Sequence, residues 1–217
     1  TVHWIPPGCL SETICSSAFC KDWDSHCYTD SMRTSELSNT ARLVSADLVP
    51  DVLEPGLRVV FCGSALGDVS WRRHAYYANP GNTFWQTLAE VGLTPSRLDP
   101  QEYARLPEWG IGLTDLVKSD HGQDARIFDG HVDIAAAREV LTAKILRWQP
   151  CVLAFTSKTV GSRYLGHPVP YGRQPGRIGA TSLWVLPSTS GLARRFFTEE
   201  PWRELAAAMA QRQASCS

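Results

Sequence analysis

Runs of consecutive apolar residues recur along this chain, separated by segments in which apolar residues follow helical spacing. Three such runs, at residues 57–62, 151–155 and 182–186, predict short strands. We expect each strand to be buried on both faces, because runs of this kind are typical of a parallel sheet covered by helices. The pattern therefore predicts an α/β protein.

Helices are predicted between and after these strands. Residues 84–91 predict a helix with Asn82 as its N-cap. The pair Asp99-Pro100 predicts the start of a second, short helix, because a capping residue followed by proline is typical of helix starts. Residues 202–213 predict a helix at the end of the chain.

The clearest amphipathic pattern covers residues 134–148, and a short helix is expected after Lys158. The predicted apolar stripe consists of Ile134, Val140, Leu141, Ile145 and Trp148. Residues 110–115 are glycine-rich and predict a strand or turn, and the Gly/Pro-rich residues 166–180 predict a loop.

This order of elements predicts a three-layer α/β/α sandwich around a short, mostly parallel sheet. Ligands of such sheets bind beyond the carboxyl ends of the strands, so the loops after the strands are where chemistry is expected. In residues 57–85 a buried strand, a small-residue turn, a polar loop, an aromatic pair and a helix start follow each other closely. This stretch predicts a pocket at a strand end.

The length of 217 residues suits one domain, and we place it at residues 50–217. Residues 1–49 are interpreted as an N-terminal extension outside the core, with Met32 as an alternative start. Four cysteines crowd this segment: Cys9, Cys15, Cys20 and Cys27. Their spacing differs from the paired pattern of structural zinc sites. A metal site and a disulfide remain alternatives there.

The net charge of −1 indicates no partner, but the charges are unevenly distributed. Residues 151–197 contain no Asp or Glu and six positive side chains, which makes this segment a candidate for phosphate binding. A solvated face is the alternative interpretation. No run of 18 apolar residues and no secretion signal is present, so a cytoplasmic protein is expected.

Four segments, in order, resemble motifs of the mismatch-specific uracil-DNA glycosylases. They are Pro55-Gly-Leu-Arg-Val-Val-Phe-Cys-Gly63, Ala78-Asn-Pro-Gly-Asn-Thr-Phe-Trp85, Gly110-x-Gly-Leu-Thr-Asp115 and Trp184-Val-Leu-Pro-x-x-Ser-Gly-Leu192. This family is the Mug and thymine-DNA glycosylase branch of the uracil-DNA glycosylase superfamily. The resemblance covers about residues 50–210. It implies a bacterial, nucleoid-associated repair enzyme that removes uracil or mismatched bases from DNA, acts as a monomer and needs no cofactor and no metal.

The chain departs from this family at its water-activating position. The family pattern G-I-N-P-G reads Gly63-Ser-Ala-Leu-Gly67 here, so Ala65 stands in the place of the catalytic Asn. An alanine cannot orient or deprotonate water. Asp115 is the first candidate for the lost role, because some bacterial relatives share the missing Asn and the G-L-T-D segment. Asn82 and Asp68 are the second and third candidates, and capping of a helix is the other interpretation of Asn82.

The remaining site residues follow from the reaction and the resemblance. Breaking an N-glycosidic bond leaves an anionic base and a cationic sugar, so backbone N–H groups at Gly63 and Ser64 would receive the base oxygens. Tyr77 occupies the register of the family's stacking aromatic, and core packing is its alternative role. Leu192 matches the family's wedge, which fills the stack vacated by the flipped base. The other expected DNA contacts are Ser188, Ser190, Gly191, Arg194 and Lys158.

Two readings of different classes stay open. One is a monofunctional glycosylase, and the other is an inert binder of damaged or abasic DNA in which Ala65 marks lost chemistry. A nucleotide-binding α/β protein of another class is a third, weaker interpretation, because the chain lacks a G-x-G-x-x-G or G-x4-G-K-[ST] phosphate loop. No lysine stands in a motif position suited to a Schiff base, so lyase activity is not expected.

Overall fold

The computed structural model describes the backbone of residues 48–214 and the side chains of residues 48–211. The interpretations of Met32 and of the cysteine-rich segment, from Cys9 to Cys27, lie outside these residues. The division of the chain into an extension and a domain at residue 50 stays a prediction.

Five strands form one sheet in the order β2-β1-β3-β5-β4. Their bounds are β1 Val59–Gly63, β2 Ile111–Asp115, β3 Val152–Phe155, β4 Gly172–Ile178 and β5 Thr181–Val185. The pairs β1–β2, β1–β3 and β3–β5 are parallel, and only β4 runs antiparallel to its neighbour β5. The sheet is therefore mostly parallel, as the apolar runs predicted.

In the described part of the chain, helices lie in most of the connections between strands and after β5. The α-helices are α1 Asp68–Arg73, α2 Phe84–Glu90, α3 Asp124–Ile127, α4 Ile134–Trp148, α5 Lys158–Leu165 and α6 Glu200–Ala214. Two 3-10 helices cover Pro100–Trp109 and Gly191–Phe196. The first begins with the predicted Asp99 cap, whose carboxylate accepts a hydrogen bond from the backbone N–H of Gln101. None of the described helices is long and apolar enough to cross a membrane.

Successive strand residues point to opposite faces of the sheet, and each face carries its own core. One core joins Phe61 and Leu113 of the sheet to Phe84 of α2 and Trp202 of α6. The other core lies under α3, α4 and α5. Its members from these helices include Ile127, Leu141, Ile145 and Val160. The sheet thus lies between two helical layers, which confirms the predicted sandwich.

The prediction of a loop over residues 166–180 is wrong, because β4 lies within it. This strand contains Gly172, Pro175 and Gly176, and its pairing register with β5 shifts between Arg173 and Arg177. Proline and glycine are tolerated here because β4 is an edge strand, whose outward N–H groups need no partner in the sheet.

Three local expectations also need correction. The polar stretch after β1 forms the helix α1 rather than a loop. Helix α2 is capped at Thr83 rather than Asn82, although the Asn82 side chain accepts a hydrogen bond at the helix start. Val140 on the predicted stripe of α4 is 55% exposed, because the buried stripe is narrower and passes through Leu141 and Ile145.

Candidate active site

The carboxyl ends of three neighbouring strands meet at one edge of the sheet. Gly63, the last residue of β1, is paired in register with Asp115, the last residue of β2. Thr156 directly follows β3, and its backbone N–H donates to the carbonyl of Cys62 at 3.0 Å. This edge therefore brings together residues that lie up to 93 positions apart in the chain.

Asp115 is packed against the backbone of Gly63. Its side chain is buried, with 4% of the residue exposed. A Cβ atom at position 63 would lie 2.3 Å from Oδ1 of Asp115 and 3.4 Å from the hydroxyl of Tyr77. The carboxylate thus occupies space that any side chain at position 63 would need, which explains the glycine there.

Tyr77 also lies beside Gly63. Its backbone has a left-handed φ of 51°, which is uncommon for an aromatic residue. The ring stacks on Phe84 with centroids 3.9 Å apart and 19° between planes, and the hydroxyl lies 3.3 Å from Oγ1 of Thr156. Burial and the negative charge of Asp115 raise the pKa of Tyr77 well above its usual value, so the hydroxyl stays protonated.

A buried ion cluster contacts Thr114 at the end of β2. Thr114, next to Asp115, donates from Oγ1 to Asp51 Oδ1 at 2.8 Å. Asp51 also forms ion pairs with Lys118 at 3.0 Å and with Lys144 of α4 at 2.5 Å. Burial raises the pKa of Asp51, but the two lysines outweigh this effect and lower it overall. No sequence spacing indicated this cluster, since its members come from distant segments.

The other two candidates for water activation have partners of their own. The backbone N–H of Phe84 donates to Oδ1 of Asn82 at 2.9 Å, so the amide oxygen is engaged at the helix start. Asp68 is half exposed, and its Oδ1 lies 2.9 Å from Nδ1 of His121. His121 in turn stacks on Trp71 at 4.1 Å. Of the three candidates, Asp115 is the one packed against Gly63 and near Tyr77.

The two residues that follow Gly63 face the second core. The Ser64 side chain forms a hydrogen bond with the carboxylate of Asp124, as does the Thr159 side chain. Ala65 is half-buried and packs against that core. Asp124 was not singled out from the sequence, where an aspartate in a polar segment gives no distinguishing signal.

The loop 188–192 contacts the turn 79–83 through a backbone hydrogen bond and a close backbone approach. The backbone N–H of Thr83 donates to the carbonyl of Thr189 at 3.0 Å. A Cβ at Gly191 would lie 3.1 Å from the carbonyl oxygen of Gly81, so the two backbones approach closely. Within the loop, backbone N–H groups donate to Ser188 Oγ and to Ser190 Oγ.

The predicted DNA contacts lie on this loop and beside it. Leu192 is 79% exposed, which is unusual for a leucine. Arg194 and Lys158 are exposed as well, and Nζ of Lys158 lies 4.2 Å from the centre of the Tyr171 ring. Phe196, four residues after Leu192, is 62% exposed and was not foreseen. Nothing in the local pattern indicated that this phenyl ring would face water.

A cavity of about 190 Å³ lies between α2 and the segment 188–197, not over Asp115. Five of the nine residues that line it carry a hydroxyl group; the nine are Thr83, Gln86, Thr87, Glu90, Ser188, Thr189, Ser190, Arg194 and Phe197. The candidate chemistry lies at the strand ends around Asp115 instead, because ligands of parallel sheets bind beyond the carboxyl ends of the strands.

The groups at the strand ends suit a hydrolytic reaction. A buried carboxylate can accept a proton from water and stabilise a positive charge, and the adjoining backbone can receive an anion. Over residues 48–211, no group of three His, Cys, Asp or Glu side chains is arranged to hold a metal ion.

Comparisons with known proteins agree with this architecture. Residues 50–209 match the family model of the uracil DNA glycosylase superfamily. The chain is also similar to the NMR structure of a candidate uracil DNA glycosylase from Methanosarcina acetivorans. The two share 23% sequence identity with a TM-score of 0.51, over 75% of this chain and 96% of the other. At this identity the likeness concerns the fold.

Proposed function

The chain belongs to the uracil DNA glycosylase superfamily, and we propose that it is a monofunctional glycosylase that hydrolyses the N-glycosidic bond of uracil in DNA. Other deaminated or mismatched bases are further substrates in this proposal. The observation that carries it is the buried Asp115 carboxylate, held against Gly63 at the carboxyl edge of the sheet. The four motif segments favour the Mug and thymine-DNA glycosylase branch.

Asp115 acts on the water in this mechanism. Its carboxylate accepts a proton from the attacking water and stabilises the positive charge that develops on the sugar. It is preferred over Asn82 and Asp68 because its carboxylate is buried at the strand ends, against Gly63 and close to Tyr77. Asp115 thereby replaces the family Asn, whose position holds Ala65.

The base is held by the turn after β1 and by Tyr77. Backbone N–H groups at Gly63 and Ser64 receive the oxygens of the departing anionic base. One face of Tyr77 is covered by Phe84, so the base stacks on the opposite face. The hydrogen bond to Thr156 fixes the ring in that position.

The loop 188–192 and its basic neighbours engage the duplex. Flipping a base out of the stack costs a few kcal/mol, and insertion of the exposed Leu192 offsets part of that cost. Ser188, Ser190 and Gly191 carry the wedge, while Arg194 and Lys158 bind phosphates.

A rival function rests on a single position. Ala65 removes the amide that the family uses to position water, so an inert binder of damaged or abasic DNA would keep every feature except the reaction. Activity of the purified protein decides between the two.

The test incubates the protein with labelled oligonucleotides that carry uracil in a single strand, U:A, U:G, T:G or hypoxanthine, followed by alkaline cleavage of abasic sites. We expect cleavage by the unmodified chain and a loss of about 100-fold or more in Asp115→Asn, since general-base catalysis contributes about that much. Asp129→Asn is the control, because Asp129 is exposed and pairs with His131.

Two results would contradict the assignment. Unchanged activity in Asp115→Asn moves the role to Asn82, which Asn82→Ala then tests. Absence of cleavage on every substrate, with retained DNA binding, identifies an inert binder.

A further inference from the structure

The two most exposed large apolar side chains of the described residues lie on one short element. Leu192 is 79% exposed and Phe196 is 62% exposed, both on the 3-10 helix Gly191–Phe196. The proposed wedge accounts for Leu192. It gives no reason for a phenyl ring in water four residues later, where burial in the protein would be more favourable.

Arg195 lies over one part of the exposed Phe196 ring. Its guanidinium carbon lies 4.6 Å from the centre of the ring. A cation over an aromatic face is favourable, and it leaves the rest of the ring accessible. Exposed aromatic rings combined with arginine are typical of surfaces on which nucleobases stack.

The positive side chains that precede Phe196 in the chain favour a nucleic acid over another apolar partner. The segment 151–197 contains no acidic residue and carries six positive charges, which suits a phosphate backbone. The hydroxyl-lined cavity with Arg194 lies along the same loop. Leu192 and Arg195 share a side of the helix, because side chains three positions apart in a 3-10 helix eclipse one another.

We propose that Phe196, flanked by Arg195, forms a stacking site for the nucleobase left unpaired opposite the lesion. The proposal rests on the function proposed above, in which Leu192 enters the vacated stack. A 3-10 helix rises about 2 Å per residue, so Phe196 lies roughly 8 Å from Leu192 along the helix axis. At that distance Phe196 can contact the duplex while Leu192 occupies the vacated stack.

The experiment uses the whole protein and a duplex that needs no chemistry. The duplex carries a tetrahydrofuran abasic analogue opposite 2-aminopurine, whose fluorescence reports its stacking. We expect the fluorescence to change on binding of the unmodified protein. In Phe196→Ala this change should disappear at saturation and the affinity should fall about tenfold, as for loss of one stacked base. Phe196→Trp should restore the affinity and quench the fluorescence further.

Leu146→Ala is the matched control, because Leu146 is a 48% exposed apolar residue on α4. It should leave affinity and fluorescence unchanged. If Phe196→Ala binds the duplex with unaltered affinity and fluorescence, the stacking site is overturned; a shift in its sedimentation coefficient would then assign the ring to self-association. Absence of DNA binding by the unmodified protein overturns the site together with the glycosylase, whereas binding without cleavage overturns the glycosylase alone.

Discussion

The missing side chain at Gly63 decides where the proposed catalytic carboxylate lies. Oδ1 of Asp115 fills the volume that a Cβ at position 63 would occupy. Burial and the nearby charge of Asp115 raise the pKa of Tyr77. Replacement of the family Asn by Ala65 is therefore compatible with catalysis from the neighbouring strand.

Gly63→Ala tests this packing. The added methyl group would lie 2.3 Å from a buried carboxylate oxygen, so Asp115 must move. We expect a loss of about 100-fold in turnover, because a displacement of about 1 Å has that cost, and a decrease of about 1–3 kcal/mol in the free energy of unfolding. Turnover on uracil-containing DNA and urea denaturation measure the two effects.

Gly67→Ala is the control for that substitution. It lies in the same turn, and a Cβ there meets nothing within 4 Å. Equal losses in the two variants would show that the turn, rather than the contact with Asp115, is sensitive to substitution.

The proposed DNA-binding loop 188–192 is held by contacts with the turn 79–83. The Thr83 N–H donates to the carbonyl of Thr189, and Gly191 abuts the carbonyl of Gly81. The turn 79–83 also leads into α2, and the ring of Phe84 in α2 stacks on the ring of Tyr77. The wedge and the base pocket thus share one support, so displacement of either loop should affect both.

Gly191→Ala should separate the two loops slightly. Its Cβ would lie 3.1 Å from the Gly81 carbonyl oxygen, a contact that requires a shift of a few tenths of an ångström. We expect kcat/KM on uracil-containing duplexes to fall about three- to tenfold, below the cost of a full 1 Å displacement. The melting temperature should change little.

Gly81→Ala faces the same contact from the other side with more room, since its Cβ would meet Gly191 Cα at 3.9 Å. It should retain nearly full kcat/KM. A larger defect in Gly81→Ala than in Gly191→Ala would contradict the proposed support.

The buried ion cluster joins distant parts of the molecule. Asp51 precedes the first strand, Lys118 follows β2 and Lys144 belongs to α4. Lys118 also donates to the carbonyl of Val49 and to the hydroxyl of Tyr76, both at 2.6 Å. Removal of the single carboxylate would leave two positive charges without this counterion.

Asp51→Asn should therefore lower the free energy of unfolding at pH 7 by about 3–5 kcal/mol, the usual cost of breaking a buried ion pair. The pKa of Asp51 is lowered from its usual 3.8, so its stabilising effect is present above that pH and is lost as the pH falls through the folded-state pKa. The difference between the two proteins should shrink below about pH 3.8. Urea denaturation at pH 7 and pH 3 measures it, with the exposed Asp129→Asn as control.

Local signals were sufficient for most of the fold. The strands at Val59–Gly63, Val152–Phe155 and Thr181–Val185 were predicted, because a strand buried on both faces must be apolar throughout. The Asp99 cap was predicted because proline after a capping residue suits only a helix start. Strand β4 was missed, because at a sheet edge the partner strand β5 supplies pairing that its glycines and proline do not indicate.

The resemblance to the family's motifs selected Asp115, Asn82 and Asp68 as candidates and identified Ala65 as the departure. Alignment with a motif shows which residue stands at each motif position, and this comparison needs only the local sequence. Only the folded chain shows how Asp115 packs against Gly63, since this contact depends on parallel pairing of strands 52 residues apart. The exposure of Phe196 and the Asp51 cluster were likewise decided by tertiary packing, because burial and charge pairing depend on neighbours that the local pattern does not specify.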